Sequence, residues 1–467
     1  MFTFGHNNQH ERGMKGFKAY DIRGVYIRDF SARDVFRLGY FLPRLLSTGK
    51  ILVGRDHRLS SDEIHDNLVR GITTSGAGVW DMGLATTPML YYAAGRHGFD
   101  GAVQITASHN PAEYNGFKVS GREVMPVGYA DGLNQLEKWV LEGTAKPVST
   151  PGKVHELEVR DDYLRFLRSY RDKAVDGLKL AVDCSNGMAG YVVRDILGDG
   201  VHYLFEQPDG RFPNHDPNPL KAENHEPLRK TLLEEGCDAG ILFDGDADRV
   251  IFLDEQGCFI PPDLIIALMG HYFLDQSGGR VLQDIRSSRS VKAYLAPLGA
   301  EVHTWKVGRA FACPRMKELN ALYGGEFAGH YYFRDFFYSD SAMLAMIVVL
   351  NVLARFKKEG LTLSGLVDRI SRYYSSGELN YCVHRKGEAI EAVVNSFLDR
   401  ERPEEQFDFD GVRLDYADWW FNIRPSNTEP YLRVIVEAVN RPLLEEKVKK
   451  IQQILHPYRA YGVDGGL

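Results

Sequence analysis

Short apolar, β-branched runs that stop at polar clusters recur along this chain, with helical patterns between them. No other feature narrows the fold class as far. Residues 51–53 end at Gly54-Arg55-Asp56, residues 102–105 at Thr106-Ala107-Ser108, and residues 178–183 at Cys184-Ser185-Asn186-Gly187. Residues 240–243 end at Asp244, and residues 280–284 at Ile285-Arg286-Ser287-Ser288. Strand, polar loop, helix in succession is the pattern of an α/β sheet, whose ligands sit beyond the carboxyl ends of its strands. Residues 68–83 and 291–308 both read helix, Gly-Ala, strand, Gly, as repeated α/β units would. The C-terminal stretch reads differently, as helix, strand, strand, helix, a smaller α+β domain. Residues 144–154, 377–387 and 401–406 have the composition of linkers.

The chain has 467 residues, enough for three or four domains at roughly 100–200 residues each. Lys and Arg number 56 against 63 Asp and Glu, a net charge of −7, which argues against a dedicated nucleic-acid binder. Five cysteines are dispersed with no C-x-x-C pair, which argues against a disulfide scaffold or a zinc site and fits a reducing compartment. The N-terminus lacks the apolar core of a signal peptide. The longest apolar run, 341–354, is interrupted by Asn351 and is shorter than the ~20 residues of a membrane span. The expectation is a soluble cytoplasmic protein, a monomer or small homo-oligomer, with no membrane or nucleic-acid partner.

Four loops carry chemistry. In Thr106-Ala107-Ser108-His109-Asn110-Pro111, a serine at a strand end is expected to be exposed, as a nucleophile or phosphate carrier must be. An ordinary polar turn is the alternative. Ser-His adjacency is not a hydrolase triad, because successive side chains point apart, and no G-x-S-x-G elbow is present. In Asp244-Gly245-Asp246-Ala247-Asp248-Arg249, alternate carboxylates would face one way in an extended segment. Like charges at ~4 Å repel by about 4 kcal/mol at an effective dielectric near 20, so a cation among them is favoured, and an all-oxygen set suits Mg²⁺. An EF-hand, with Glu255 twelfth, fails because Arg249 stands where glycine is needed and strand-like runs replace the helices. Gly324-Gly325-Glu326-Phe327-Ala328-Gly329-His330 could grip neighbouring sugar hydroxyls through Glu326 and His330, or be a plain glycine-rich turn. Arg424-Pro425-Ser426-Asn427-Thr428-Glu429-Pro430, followed by Arg433, offers a guanidinium fork, hydroxyls and backbone N–H groups, which is phosphate-binding chemistry. Together these parts describe phosphoryl transfer.

The sequence resembles the α-D-phosphohexomutase superfamily, in particular its phosphomannomutase/phosphoglucomutase branch. The resemblance runs through F-K-A-Y-D-I-R-G at 17–24, T-A-S-H-N-P with N-G-F-K, F-P-N with P-N-P, D-G-D-A-D-R, G-E-F-A-G-H and R-P-S-N-T-E-P, in family order. It implies four domains around a central cleft: 1–152 bearing a phosphoserine, 153–256 the metal loop, 257–372 the sugar loop, and 373–467 a phosphate-binding α+β domain. It implies that Ser108 is the phosphoserine and that Asp244, Asp246 and Asp248 hold Mg²⁺ with the Ser108 phosphate. Arg23, His109, Lys118 and Arg249 would act near the transferring group, with Tyr20 and Asn110 beside them. Glu326 and His330 would read sugar hydroxyls. Arg424, Ser426, Asn427, Thr428 and Arg433 would hold the non-reacting phosphate. The implied reaction interconverts hexose 1- and 6-phosphates of mannose or glucose through a hexose 1,6-bisphosphate, which also serves as activator.

The sequence departs from the family pattern at Phe327, Ala328 and Ser339-Asp340-Ser341, at Arg286 where lysine is usual, and at Arg309 where histidine is common. All of these lie in the sugar-contacting half. Phosphoglucosamine mutase is the alternative within the family; a sugar phosphatase using Ser108 and a non-catalytic sugar-phosphate-binding paralogue are alternatives outside it.

Overall fold

A computed structural model describes residues 14–274, 278–426 and 431–460. Each of the five β-branched runs that end at polar clusters forms a strand, and the helix-then-strand reading of 68–83 and 291–308 holds in both places. The chain forms two compact units. One comprises the chain up to Phe259 together with His330–Lys358, and the other Ile260–Gly329 together with the chain from Glu359 onward.

The first unit contains a mixed sheet built from β1 (Ile22–Val25), β2 (Lys50–Arg55), β3 (Gly78–Leu84), β4 (Ala102–Ile105), β5 (Tyr114–Ser120) and β6 (Val154–Glu156). Its order is β1-β5-β4-β2-β3-β6. Strands β4, β2, β3 and β6 run parallel, while β5 lies antiparallel to β4 and β1. The central strands are buried on both faces, which is why Ile51-Leu52-Val53 and Ala102-Val103-Gln104-Ile105 read as near-continuous apolar runs. Because β2 and β4 are parallel, the loops leaving Arg55 and Ile105 emerge at the same edge. Helix α1 (Ala32–Leu45) starts with a reciprocal cap between Ser31 and Asp34. Helix α2 (Ser61–Thr74) packs on it so closely that a Cβ at Gly71 would lie 2.1 Å from the Phe36 carbonyl oxygen. Helix α3 (Thr87–His97) is capped by Thr86 and stopped by Gly98 at φ +67°.

A second sheet in this unit places β7 (Leu180–Asp183) between β8 (His202–Leu204) and β9 (Ala239–Phe243), all parallel. Strand β10 (Val250–Asp254) returns antiparallel to β9. The flanks of the aspartate loop are therefore a hairpin, and no EF-hand helices are present there. The helix Ala342–Lys357, which contains the longest apolar run, is buried along most of its length in this unit. No helix among the described residues is long and apolar enough to cross a membrane.

In the second unit, Gly279–Asp284 pairs parallel with Ala300–Trp305 and with Tyr323–Gly325. The C-terminal part is an antiparallel sheet with the helices Lys386–Leu398 and Arg441–Leu455. It is richer in strands than the sequence suggests. Leu379–Cys382 lies inside the expected linker 377–387, Glu405–Phe407 overlaps the expected linker 401–406, and Val412–Asp415 adds a further strand. These strands are short and partly exposed, so their apolar alternation is too brief to stand out. Residues 144–153 carry no regular strand or helix, as expected of a linker.

The α1–α2 contact generates a prediction. Gly71→Ala forces a methyl into backbone and should destabilise the fold by about 1–3 kcal/mol or more, as overpacking does. The measurement is the denaturant midpoint, and an unchanged midpoint would show that the two helices separate freely.

Candidate active site

The serine loop leaves β4 at Thr106, whose Oγ1 accepts from the Ser108 backbone N–H at 2.9 Å. Ser108 sits at φ +51°, in the left-handed region. The side chain is 0% exposed, not exposed as its strand-end position suggested. The left-handed backbone turns Oγ inward, where it donates to Asp244 Oδ2 at 2.9 Å. The same turn brings His109 Nδ1 to 3.3 Å from Oγ, so the two adjacent side chains meet rather than point apart. Burial, with the positive charges of Arg249, Arg23 and Lys118, holds the His109 imidazole well below its usual range and keeps it neutral.

A residue that the sequence reading missed fixes this loop. The buried Arg58 guanidinium donates to the carbonyls of Ser108 and Asn110 at 2.7 Å, of Pro111 at 2.6 Å and of Tyr114 at 3.0 Å. Asp56 holds it from behind at 3.2 Å, and the Phe212 ring lies 4.9 Å from it. The signal was present in Gly-Arg-Asp-His-Arg at the end of β2, but only the register of β2 with β4 shows which loop it meets.

The three aspartates converge, by a turn rather than by strand alternation. Ala247 takes φ +61°, and the N–H groups of Asp248 and Arg249 both donate to Asp244 Oδ1 at 3.1 Å. One carboxylate oxygen from each of Asp244, Asp246 and Asp248 lies within 4.8 Å of the others, and all three residues are buried. Asp246 Oδ1 and Asp248 Oδ1 are shut from water with no hydrogen-bond partner among the described residues. Lys118 on β5 bridges Asp246 at 2.6 Å and Asp248. Burial alone would lower the Lys118 pKa, but those two carboxylates outweigh it and raise it. Asp244 is pushed well above its ordinary range by burial and by the charges of Asp248 and Asp246. Asp248 lies below its ordinary range, because Lys118 and His330 overcome its burial. Thr87, another residue missed in the sequence, donates its hydroxyl to Asp246 and its backbone N–H to the Asp246 carbonyl at 3.1 Å. An all-oxygen set with two unpartnered buried oxygens fits a hard divalent cation.

Around this centre, Arg23 on β1 donates to Asn110 Oδ1 at 2.6 Å and pairs with Asp21 at 2.5 Å. Tyr20 is half-buried in the turn before β1. Arg249 Nε donates to His330 Nε2 at 2.9 Å, and His330 Nδ1–H donates to Asp340 Oδ2 at 2.7 Å. His330 thus belongs to the first unit, with Ser108 and the three aspartates, whereas Glu326, four positions earlier, belongs to the second.

The second unit gathers the remaining residues. Arg286 is buried, donates Nη2 and Nε to Asp284 Oδ2 at 2.5 and 3.1 Å, and lies 3.9 Å from Glu326. Glu326 Oε1 accepts the Gly308 N–H at 3.0 Å, just before Arg309 opens the helix Arg309–Leu319. Arg424 and Arg433 stand directly opposite one another on the strands Trp419–Pro425 and Tyr431–Ala438. Both reach Glu378, Arg424 at 3.2 Å and Arg433 at 3.3 Å, and Arg286 approaches it at 3.9 Å. Burial, followed by the nearby Arg286 charge, lowers the Arg424 pKa. Ser426 is buried at the end of the strand, while Asn427 and Thr428 lie outside the described residues.

Comparison with known proteins identifies the family. Phosphoglucomutase/phosphomannomutase alpha/beta/alpha domain I matches residues 14–144, domain II 161–257, domain III 261–373, and the C-terminal domain 378–453. A phosphomannomutase of Salmonella montevideo is 36% identical over 454 residues, covering 94% of this chain and 98% of that protein. The phosphohexose mutases of Xanthomonas campestris pv. campestris are 35% identical over 450 residues, covering 95% and 99%. A crystal structure of a phosphoglucomutase/phosphomannomutase family protein from Burkholderia thailandensis has a TM-score of 0.83 at 27% identity, covering 96% of this chain and 98% of that one.

The role of Arg58 yields a prediction. Arg58→Met removes the charge opposite a buried Asp56 and four carbonyl contacts, and should cost about 3–5 kcal/mol, as breaking a buried pair does. Hydrogen exchange should speed up first in residues 106–111. Unchanged protection there would mean that the loop holds itself.

Proposed function

The chain belongs to the phosphoglucomutase/phosphomannomutase family, a family of phosphosugar mutases, and we propose that it interconverts hexose 1- and 6-phosphates through a phosphorylated Ser108 and a hexose 1,6-bisphosphate. The observation that carries this reading is the buried Ser108 Oγ, 2.9 Å from a carboxylate of a three-aspartate cluster. A phosphoryl group there adds nearly two negative charges beside Asp244. That is tolerable only with strong cationic support, which Arg23, Lys118 and Arg249 supply in part. Asp244, Asp246 and Asp248, with the Ser108 phosphate, are the residues to hold Mg²⁺, which when bound neutralises charge on the phosphoryl oxygens.

In the forward half-reaction the P–Oγ bond of phosphoserine breaks, a P–O bond to the free sugar hydroxyl forms, and the hydroxyl proton leaves. That proton ends on the freed Ser108 Oγ, which balances the half-reaction. His330, fixed by its Nδ1–H on Asp340 and accepting from Arg249 Nε at Nε2, holds Arg249 in place. His109 holds Ser108 Oγ without adding charge. The bisphosphate then turns end for end, and its other phosphoryl returns to Ser108. Arg424, Arg433 and Ser426, with Asn427 and Thr428, are the clamp for whichever phosphate is not reacting. Glu326 reads the sugar, with Arg286 and Arg309 beside it. Hexose 1,6-bisphosphate primes unphosphorylated enzyme. The domain limits at 152, 256 and 372 mark the division of labour on this reading.

Three outcomes are expected. Intact mass should rise by one phosphate after incubation with a hexose bisphosphate, mapping to Ser108, and Ser108→Ala should abolish the shift. Chelation should stop turnover reversibly, and full activity in chelator would remove the metal role of the aspartates. Arg424→Ala should weaken the 1- and 6-phosphate substrates alike, by roughly 2–4 kcal/mol in kcat/KM, with free bisphosphate visible by phosphorus NMR. Loss against one substrate only would show that the clamp is not shared. Running these assays on mannose, glucose and glucosamine 1-phosphates identifies the preferred sugar, and stoichiometric release of inorganic phosphate would instead indicate a phosphatase.

A further inference from the structure

Two guanidiniums face each other across the antiparallel pair that carries the clamp, Arg424 opposite Arg433, with a third, Arg286, close by. Like charges directly opposite on a sheet repel, so this cluster needs an anion. Glu378 supplies one. Its two carboxylate oxygens divide between the two arginines, Oε2 on Arg424 Nη2 at 3.2 Å and Oε1 on Arg433 Nη1 at 3.3 Å. Two oxygens spread over two guanidiniums is also how a phosphate is gripped.

The contact is not an accident of a loose loop. Before Glu378, the Ser376 N–H donates to the Val436 carbonyl at 2.9 Å, and Ser376 Oγ accepts from the Val436 N–H at 3.0 Å. After it, Leu379 enters a strand paired with Val434. The backbone is thus pinned on both sides of Glu378. The Glu378 side chain is 21% exposed, against 10% for Arg424, 6% for Arg286 and 29% for Arg433. The carboxylate has room to swing away, whereas Arg424 and Arg286 are held in the interior.

We propose that Glu378 is a built-in stand-in for phosphate, which occupies the Arg424–Arg433 clamp between substrates and must be displaced by each incoming phosphate. This rests on reading those arginines as the phosphate clamp. A carboxylate that fills the clamp most of the time lowers apparent phosphate affinity by its fractional occupancy, about tenfold if it is in place nine-tenths of the time. A clamp weakened in this way releases phosphate readily, as a site that exchanges one phosphate for the other must.

The test is the dissociation constant of inorganic phosphate, measured by calorimetry on the full chain. Glu378→Gln should bind phosphate about tenfold more tightly than the parent. KM for both hexose phosphates should fall, and kcat should fall with it because release slows. Weaker or unchanged phosphate binding in Glu378→Gln would overturn the proposal and make Glu378 merely a scaffold for the arginines. Glu378→Asp, whose shorter arm cannot span both arginines, gives the same readout should the glutamine variant not fold. Arg424→Ala separates the two readings. If it binds phosphate as the parent does, the clamp assignment itself fails. If it loses phosphate while Glu378→Gln gains no affinity, only the stand-in fails.

Discussion

Three carboxylates within 4.8 Å of one another and away from water repel so strongly that most of the first unit's polar structure is a response to them. Lys118 reaches across from β5, Thr87 from the start of α3, and Arg249 and two backbone N–H groups from the loop itself. The response is incomplete. Asp244 remains far above its ordinary pKa range, and two carboxylate oxygens have no hydrogen-bond partner among the described residues. Such a centre is prepared for added positive charge, and Ser108 Oγ already touches it.

The second unit shows the opposite imbalance. Arg424 and Arg433 share a single carboxylate, Glu378, which Arg286 also approaches. An acidic centre that calls for cations and a basic centre that calls for anions are complementary halves of phosphosugar chemistry. They are carried on separate compact units of one chain, and the boundary falls between Gly329 and His330, inside a single sequence motif.

Much of this was legible in the sequence, because strand ends and catalytic loops are local. The α/β alternation, the serine loop and the aspartate loop can all be read from adjacent residues. What could not be read depends on register. That Arg58 meets the serine loop follows from β2 lying beside β4, and that Glu378 meets Arg424 follows from an unnoticed strand pairing with Tyr431–Ala438. The burial of Ser108 escaped notice because it depends on one backbone angle and on what lies beneath it. The aspartates were grouped correctly but for the wrong geometric reason, since a turn and not an extended segment brings them together. Glu326 and His330 were paired by proximity in sequence, which says nothing about the compact unit each joins.

The left-handed backbone at Ser108 also limits which residues natural variation can install there. Threonine offers the same hydroxyl and the same capacity for a phosphate ester, yet its branched Cβ is poorly accommodated at φ +51°. Tyrosine would need space that the buried loop lacks. The position is therefore closed to the two other phosphorylatable hydroxyl residues by conformation and volume rather than by chemistry. A lineage that lost this serine would have a single sterically acceptable way back, and the fold around β4 would preserve the vacancy in serine's shape.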